Sequence, residues 1–225
     1  MNPQTPSTNP FTEDYYLRGP ETGLSNYEDY RWLPDMTHAY VMHLARHLGI
    51  KNHESVHDIG CSRGYLVKSL QMHGIQATGH DISEWAVANC DESVKGFISN
   101  KWNPEPMSVD WVHSKDVLEH CDEDAVEKII TQVMESVRKG AFFIVPLCSY
   151  HRGSYIYPND NKDSTHVIRF TMENWLSWIT RLATIFDRSG LGKFTVSGSY
   201  HVPGLKQASV DYPFSTAFIQ LRRFQ

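Results

Sequence analysis

Apolar residues along this chain change period several times, and the changes predict strands alternating with helices. The stretch DMTHAYVMHLARHLGI sets Met36, Tyr40, His43 or Leu44, and His47 or Leu48 at helical spacing, with Asp35 as the expected N-cap and Gly49 as the stop. A short apolar strand is then predicted at 56–59, a helix from Tyr65, a strand at 77–82 and a helix from Glu84. KGFISN from Lys95 reads as a third strand and VDWVHS from Val109 as a fourth. DEDAVEKIITQVMESVRKG has an acidic start, apolar positions at Val126, Ile129, Ile130, Val133, Met134 and Val137, and Lys139-Gly140 as its expected stop, so it predicts a helix. AFFIVPL from Ala141 is almost continuously apolar, which suits a central strand buried on both faces. A polar stretch at 148–171 exceeds an ordinary connection, and loops of that length are usually functional or disordered. The helix MENWLSWITRLATIF follows, then two β-rich runs, FTVSGSY and STAFIQLRRF. The alternation predicts a doubly wound, mostly parallel α/β sheet.

The segment before this pattern is different. Residues 1–12 open polar and proline-rich and read as a flexible leader, neither signal peptide nor anchor. Residues 13–34 crowd Tyr15, Tyr16, Tyr27, Tyr30 and Trp32 among acids and two glycines, too aromatic for a linker, so an arm or lid is expected there. The domain is expected to span 13–225, with no internal repeat and no membrane span.

With 225 residues, 40% of them hydrophobic, the chain can bury a sizeable single core. A formal charge of −5 gives no basic balance for nucleic acid, although local patches at Arg152 or at Arg222 and Arg223 stay open. Cys61, Cys90, Cys121 and Cys148 lack C-x-x-C spacing, which points to free thiols and a reducing, cytoplasmic setting. No H-x-x-x-H pattern with an obvious carboxylate partner appears, so a metal-assisted transfer stays open without support and no metal ligand is named.

The candidate chemistry lies in SVHDIGCSRGYLVKSL from Ser55. Glycines at 60 and 64 let the backbone turn sharply and approach a ligand, and the following helix aims its first amides into the same space. Asp81 closes the next strand about 20 residues on, where an acid reaches ribose hydroxyls. A dinucleotide fingerprint needs different glycine spacing and a Walker loop needs Gly-Lys-Ser/Thr, which is absent. Gly60-Cys61-Ser62-Arg63-Gly64 also matches the G-x-S-x-G nucleophile elbow of serine hydrolases, but no HGGG-type loop and no earlier strands precede it.

DIGCSRG, HDIS and the run VDWVHSKDVLEH together resemble the class I S-adenosylmethionine-dependent methyltransferases, over roughly 54–147. Ser62 departs from the family, where a third glycine is common, as does Asn100, where an acidic or polar adenine contact is often found. The resemblance implies seven strands with the last antiparallel, and S-adenosylmethionine as cofactor. It also implies that Asp58 and the Gly60, Cys61 and Gly64 turn hold the amino-acid end, Asp81 the ribose and Ile82 the adenine edge. Asn100 and Trp102 follow the third strand, on the adenine side; a loop amide and a core tryptophan are the plainer alternative. Ser114 and Asp116 would face the methionine moiety, with Asp116 as a helix cap and Asp81 as an N-cap the alternatives. Tyr27 and Arg31 are expected in a lid, the arginine pairing the cofactor carboxylate, unless the arm only packs on the sheet. In the loop at 148–171, DSTHVIRFT resembles the corresponding region of methyltransferases of small molecules and sugars. An alcohol acceptor needs a base, so His166 is the first candidate, followed by His120 and His151. The function expected is methyl transfer to a hydroxyl of a carbohydrate or metabolite; a non-catalytic binding module is the alternative.

Overall fold

The computed structural model describes residues 9–224. Residues 1–8 of the expected leader lie outside the described residues; residues 9–12 are placed, and the Asn9 side-chain amide donates to the carbonyl of Ile82 at 2.8 Å. The arm then forms two short helices, α1 (Glu13–Leu17) and α2 (Gly19–Thr22), before the long helix α3 (Pro34–Leu48). Pro34 takes the first helical position with Leu33 as N-cap, so Asp35 sits in the first turn and does not cap. A proline fits there because its missing N–H would have no helical partner. Gly49 ends the helix at φ +73°, a conformation glycine adopts without strain.

The alternation follows: β1 (Ser55–Ile59), α4 (Tyr65–Met72), β2 (Gln76–His80), α5 (Glu84–Ala88), β3 (Ile98–Ser99) and β4 (Val109–Lys115). Next come α6 (Glu123–Ser136), β5 (Val137–Pro146), α7 (Met172–Arg188), β6 (Phe194–Ser199), α8 (Ala208–Asp211) and β7 (Thr216–Arg223). The strands form one seven-stranded sheet in the order β3-β2-β1-β4-β5-β7-β6. The pairings among β1 to β5 are parallel, and β7 runs antiparallel between β5 and β6.

One boundary differs from the sequence expectation. Lys139 and Gly140 do not stop α6; they lie inside β5, which begins at Val137 directly after the helix. Gly140 serves the sheet instead, because a Cβ there would come within 2.1 Å of the Leu221 carbonyl oxygen.

Strand alternation divides the core. Ile59, Val112 and Phe143 face α6 and α7, with Ile130, Trp175 and Ile179 opposite them. Val56, Trp111 and Phe142 face α3 and α4, with Leu44, Val67 and Leu70 opposite. A third, smaller cluster joins Tyr15 and Tyr16 of the arm to Ala86 of α5, with Trp85 and Tyr30 beside them. No helix lies between β3 and β4, and the sheet face there carries a groove of about 750 Å³ beside Trp102. No helix among the described residues is long and apolar enough to cross a membrane.

Candidate active site

The carboxyl ends of β1, β2 and β4 bring Asp58, Asp81 and Asp116 to one edge of the sheet, the position where open parallel sheets bind ligands. The turn after β1 needs both glycines, for reasons of packing as much as of ligand space. Gly60 has φ +74°, and a Cβ on it would meet Val117 at 2.2 Å; Gly64 has φ +78°, and a Cβ would meet Val94 at 2.7 Å. Ser62 adopts φ +50°, the left-handed conformation that the missing third glycine would take without cost.

Several amides of this turn are already engaged. Gly60 and Cys61 both donate to the His80 carbonyl, at 2.8 and 3.0 Å, and Ser62 donates to Asp81 Oδ2 at 2.7 Å. This corrects the expectation that the turn's own amides take the cofactor carboxylate: those of Gly60 to Ser62 are spent, leaving the first turn of α4. Cys61 is buried against Gly79, and burial pushes its thiol well up, so it contributes packing and not a reactive sulfur. Ser62 Oγ has no hydrogen-bond partner, so the serine has no base and the hydrolase alternative falls.

Asp81 holds both sides of its own turn, accepting from Ser62 and, at 2.8 Å, from the Ser83 amide. Burial raises its pKa in spite of these bonds. The cap of α5 is Ser83, whose hydroxyl accepts from Ala86. Ile82 is exposed at 59%, an apolar edge open to a ligand. Asn100 donates to the carbonyls of Asp81 and Ser83, both at 3.2 Å, and so braces this turn. Trp102 does not stand at the adenine edge. Its ring stacks on His57 and His80, at 4.8 and 5.4 Å between centroids, and strand alternation puts His57 on the face opposite Asp58.

Behind the acids runs a buried relay that sequence reasoning missed. His113 Nδ1 lies 2.7 Å from Asp58 Oδ1, and the Tyr40 hydroxyl lies 2.7 Å from His113 Nε2. Burial raises the Tyr40 phenol well above its ordinary value, so Tyr40 donates to Nε2 and His113 donates to the carboxylate. Nothing in the spacing of Tyr40, Asp58 and His113 marks them as partners; only the pairing of β1 with β4, which sets Asp58 beside His113, reveals it.

The aromatic arm covers this edge. Tyr16 stacks on Trp85 at 5.4 Å, Tyr30 on Tyr65 at 5.4 Å, and Tyr27 lies 5.1 Å from Tyr30. Burial pushes the Tyr27 phenol up although 39% of its surface stays accessible, as for a ring lining a cleft. The arm also touches the loop at 148–171: the Tyr15 hydroxyl donates to Asp163 at 3.0 Å, and Asn26 to the Asn159 carbonyl at 2.7 Å. Arg31 instead pairs with Asp29 at 2.7 Å on the outside, where its side chain is 67% exposed.

The other half of the cleft is built around β4 and the loop. Asp116, at φ +55°, accepts from Lys206 at 2.5 Å and pairs with Lys115 at 3.4 Å. Burial alone would raise its carboxyl; the two ammoniums win and hold it below the ordinary range. Lys206 lies far along the chain, between β6 and β7, and carries no signal in the sequence. Glu119 is fully buried with neither carboxylate oxygen hydrogen-bonded, and burial, with the Asp116 charge, raises its pKa far up. Burial likewise pushes Asp160 up to about 6. His120 and His166 meet at 4.5 Å between rings; burial lowers both, His120 to about 4, so both are neutral at neutral pH. His151 stands exposed at the start of α7, 3.3 Å from Asn174, outside this pair. Ser114 is buried with its hydroxyl unpartnered.

A family model described as a methyltransferase domain matches residues 33–193. No curated protein sequence matches the chain. Among solved structures, a SAM-dependent methyltransferase from Archaeoglobus fulgidus superposes with a TM-score of 0.57 at 16% identity, covering 83% of this chain and 94% of that one. A Synechocystis magnesium protoporphyrin IX methyltransferase with bound SAM gives 0.55 at 13%, covering 84% and 81%. A Haemonchus contortus N-methyltransferase in complex with phosphomonomethylethanolamine and S-adenosylhomocysteine gives 0.55 at 14%, covering 83% and 52%. The chain belongs to the methyltransferase domain family, with the class I fold that its sheet order displays. S-adenosylmethionine is the cofactor of this class, and the edge carrying Asp58, Asp81 and the glycine turn fits it: an acid for the ribose, an open apolar edge at Ile82, and unspent amides at the start of α4.

Proposed function

We propose that this protein transfers a methyl group to a hydroxyl of a small polar acceptor, a carbohydrate or metabolite. The observation that carries this reading is the second half of the cleft: two neutral histidines, His120 and His166, and the Lys206–Asp116 pair, beside a donor edge roofed by aromatic rings. Bound S-adenosylmethionine supplies a methyl on a sulfonium, and the chain's residues position it. Asp81 accepts from the ribose hydroxyls, the first turn of α4 faces the carboxylate, and Tyr16, Tyr27 and Tyr30 shield the cationic end from water. Asp58, held by His113, stands at the amino-acid end and attracts its ammonium. His166 lies 3.9 Å from Asp163 Oδ2, a carboxylate that would stabilise the imidazolium formed when it takes the acceptor's proton.

The arm and the loop at 148–171 act together as a lid in this reading, since they already share hydrogen bonds through Tyr15 and Asn26. Incubation with S-adenosylmethionine and a panel of sugars and hydroxylated metabolites, followed by mass detection of S-adenosylhomocysteine and a product heavier by one methylene, tests the reaction. Cofactor binding without turnover on any acceptor would leave the non-catalytic alternative in its place. Hydrogen exchange tests the lid: it requires greater protection at 13–34 when cofactor binds.

A further inference from the structure

Glu119, His120 and His166 each offer one ligand atom, and the three atoms lie within 4.8 Å of one another. We propose that they bind a first-row divalent cation, of the Zn²⁺ or Co²⁺ kind, as a two-histidine, one-carboxylate site. Glu119 is 0% exposed and both of its oxygens lack a partner, an arrangement that costs stability unless something absent from the polypeptide completes it. His166 Nε2 lies 4.0 Å from Glu119 Oε1, and its ring is buried as well.

His120 is preset as a ligand. Its Nδ1 lies 2.7 Å from the Thr165 hydroxyl, and that hydroxyl lies 2.5 Å from Asp163 Oδ1. Thr165 has one proton and gives it to the carboxylate, so it must accept from His120 Nδ1–H, which leaves the lone pair on Nε2 free. A hydrogen-bonded partner fixing the tautomer of a histidine in this way is the usual support of a metal ligand. Asp163 is itself anchored by the Tyr15 hydroxyl at 3.0 Å, so the aromatic arm reaches the site's outer shell.

Distance and charge both agree with a cation. Ligand atoms on a tetrahedral shell of about 2.1 Å stand about 3.4 Å apart, so the observed spread closes with movements under about 1 Å per side chain. Asp116, Glu119 and Asp160 face the ammonium of Lys206, which Asp116 already engages together with Lys115, and Asp163 flanks His166 at 3.9 Å. Two imidazoles with one carboxylate select borderline first-row ions over Mg²⁺ or Ca²⁺, which prefer oxygen alone. With a cation bound His166 is a ligand and no longer the base, and three protein ligands leave room for an oxygen of the acceptor, whose proton the cation's charge would loosen in its place. That role rests on the methyltransferase reading, whereas cation binding itself does not.

The test uses the full chain, stripped with EDTA and titrated with Co²⁺ by calorimetry and visible absorption. One equivalent should bind with a d–d band that Zn²⁺ abolishes. Glu119→Gln and His166→Ala should each weaken binding at least tenfold, and Thr165→Val roughly tenfold through loss of orientation. His201→Ala, at an exposed histidine elsewhere, should bind like the parent. Thermal unfolding of each metal-free variant reports its folding, and Thr165→Val leaves all three ligands in place should either ligand variant fail to fold. No saturable Co²⁺ binding, equal affinity in all variants, or saturation by Mg²⁺ in preference to Co²⁺ would overturn the site. S-adenosylhomocysteine titrated into the same samples separates the two ideas: its failure to bind strikes the methyltransferase reading and leaves the cation result intact.

Discussion

The two halves of the cleft, donor side and acceptor side in the proposed reading, satisfy their polar groups differently. On the donor side the acids are held from within: Asp81 by the amides of Ser62 and Ser83, Asp58 by His113. On the acceptor side Glu119, one oxygen of Asp160 and one nitrogen of His166 are buried without partners. Apart from the Ser62 hydroxyl, the donor half is thus assembled before any ligand arrives, whereas the acceptor half carries ionisable groups left for a bound species to satisfy. A built half tolerates no change of backbone, and an unsatisfied half should gain stability when its polar groups are removed.

The largest effect is expected at the glycine turn. Gly60→Val combines a left-handed φ with a clash against Val117, costing about 2–5 kcal/mol of stability and abolishing donor binding. Denaturant unfolding and calorimetry with S-adenosylhomocysteine check both; a stable variant with full affinity would show that the turn neither packs nor binds as described. Asp81→Ala should weaken donor binding by about 1.5–3 kcal/mol, measured in the folded fraction, through loss of a charge-assisted pair. Stability should fall as well, because two amides lose their acceptor. Normal affinity with only the stability loss would reduce Asp81 to a brace for the turn.

The sharpest contrast is a change of sign. Glu119→Met replaces an unpartnered buried carboxyl by an apolar chain of similar length, so with chelator present it should raise stability by about 1–2 kcal/mol. Donor affinity should stay within about twofold. Destabilisation would mean that Glu119 has a structural partner, and the two halves would no longer differ in kind.

The donor half was also the legible one. Glycines, an acid closing each of two strands, and helix starts are local signals, so the turn of Gly60 and Gly64 and the strand-end places of Asp58 and Asp81 are legible from spacing, and the alternation predicts the sheet. What spacing could not show was depth and pairing. Glu119 sits inside DVLEH, yet a glutamate is ordinarily exposed, and nothing local announces that this one is fully buried. Lys206 reaches Asp116 from 90 positions away, and His113 meets Tyr40 from 73 away. Its place after β3 puts Trp102 on the adenine side by resemblance, with a core tryptophan as the plainer alternative, and the absent helix before β4 leaves a sheet face for the ring to cover. Gly140 looked like a helix stop because Lys-Gly is a common one; the close approach of β7 is a tertiary demand that overrides it.

The smallest effect per residue concerns pH, and it tests whether the strands that carry the donor edge rest on neutral groups on their opposite face. His57 and His80 stack beneath Trp102, His57 Nε2 lying 3.0 Å from His80 Nδ1 and its Nδ1 2.8 Å from the Thr78 hydroxyl. Burial lowers the two to about 3 and about 4. In the unfolded chain both titrate near 6.5, so below that pH the unfolded state binds more protons and stability falls as pH falls. The contribution is complete above about pH 7 and is lost progressively down to pH 3–4. At pH 5.5 the loss should be on the order of 1 kcal/mol for each of the two histidines, beginning well above the range where Asp110, held down to about 2 first of all by its hydrogen bond from Arg138, starts to lose its own contribution. His57→Gln with His80→Gln should make the stability profile between pH 5 and 7 shallower, leaving the part due to the likewise buried His120 and His166, and should keep the acid limb below pH 4 in place. Hydrogen exchange corrected for intrinsic rates should locate the pH 5.5 loosening in β1 and β2. Loosening confined to 148–171 would instead place the acid-sensitive element in the acceptor half and reverse the contrast between the two.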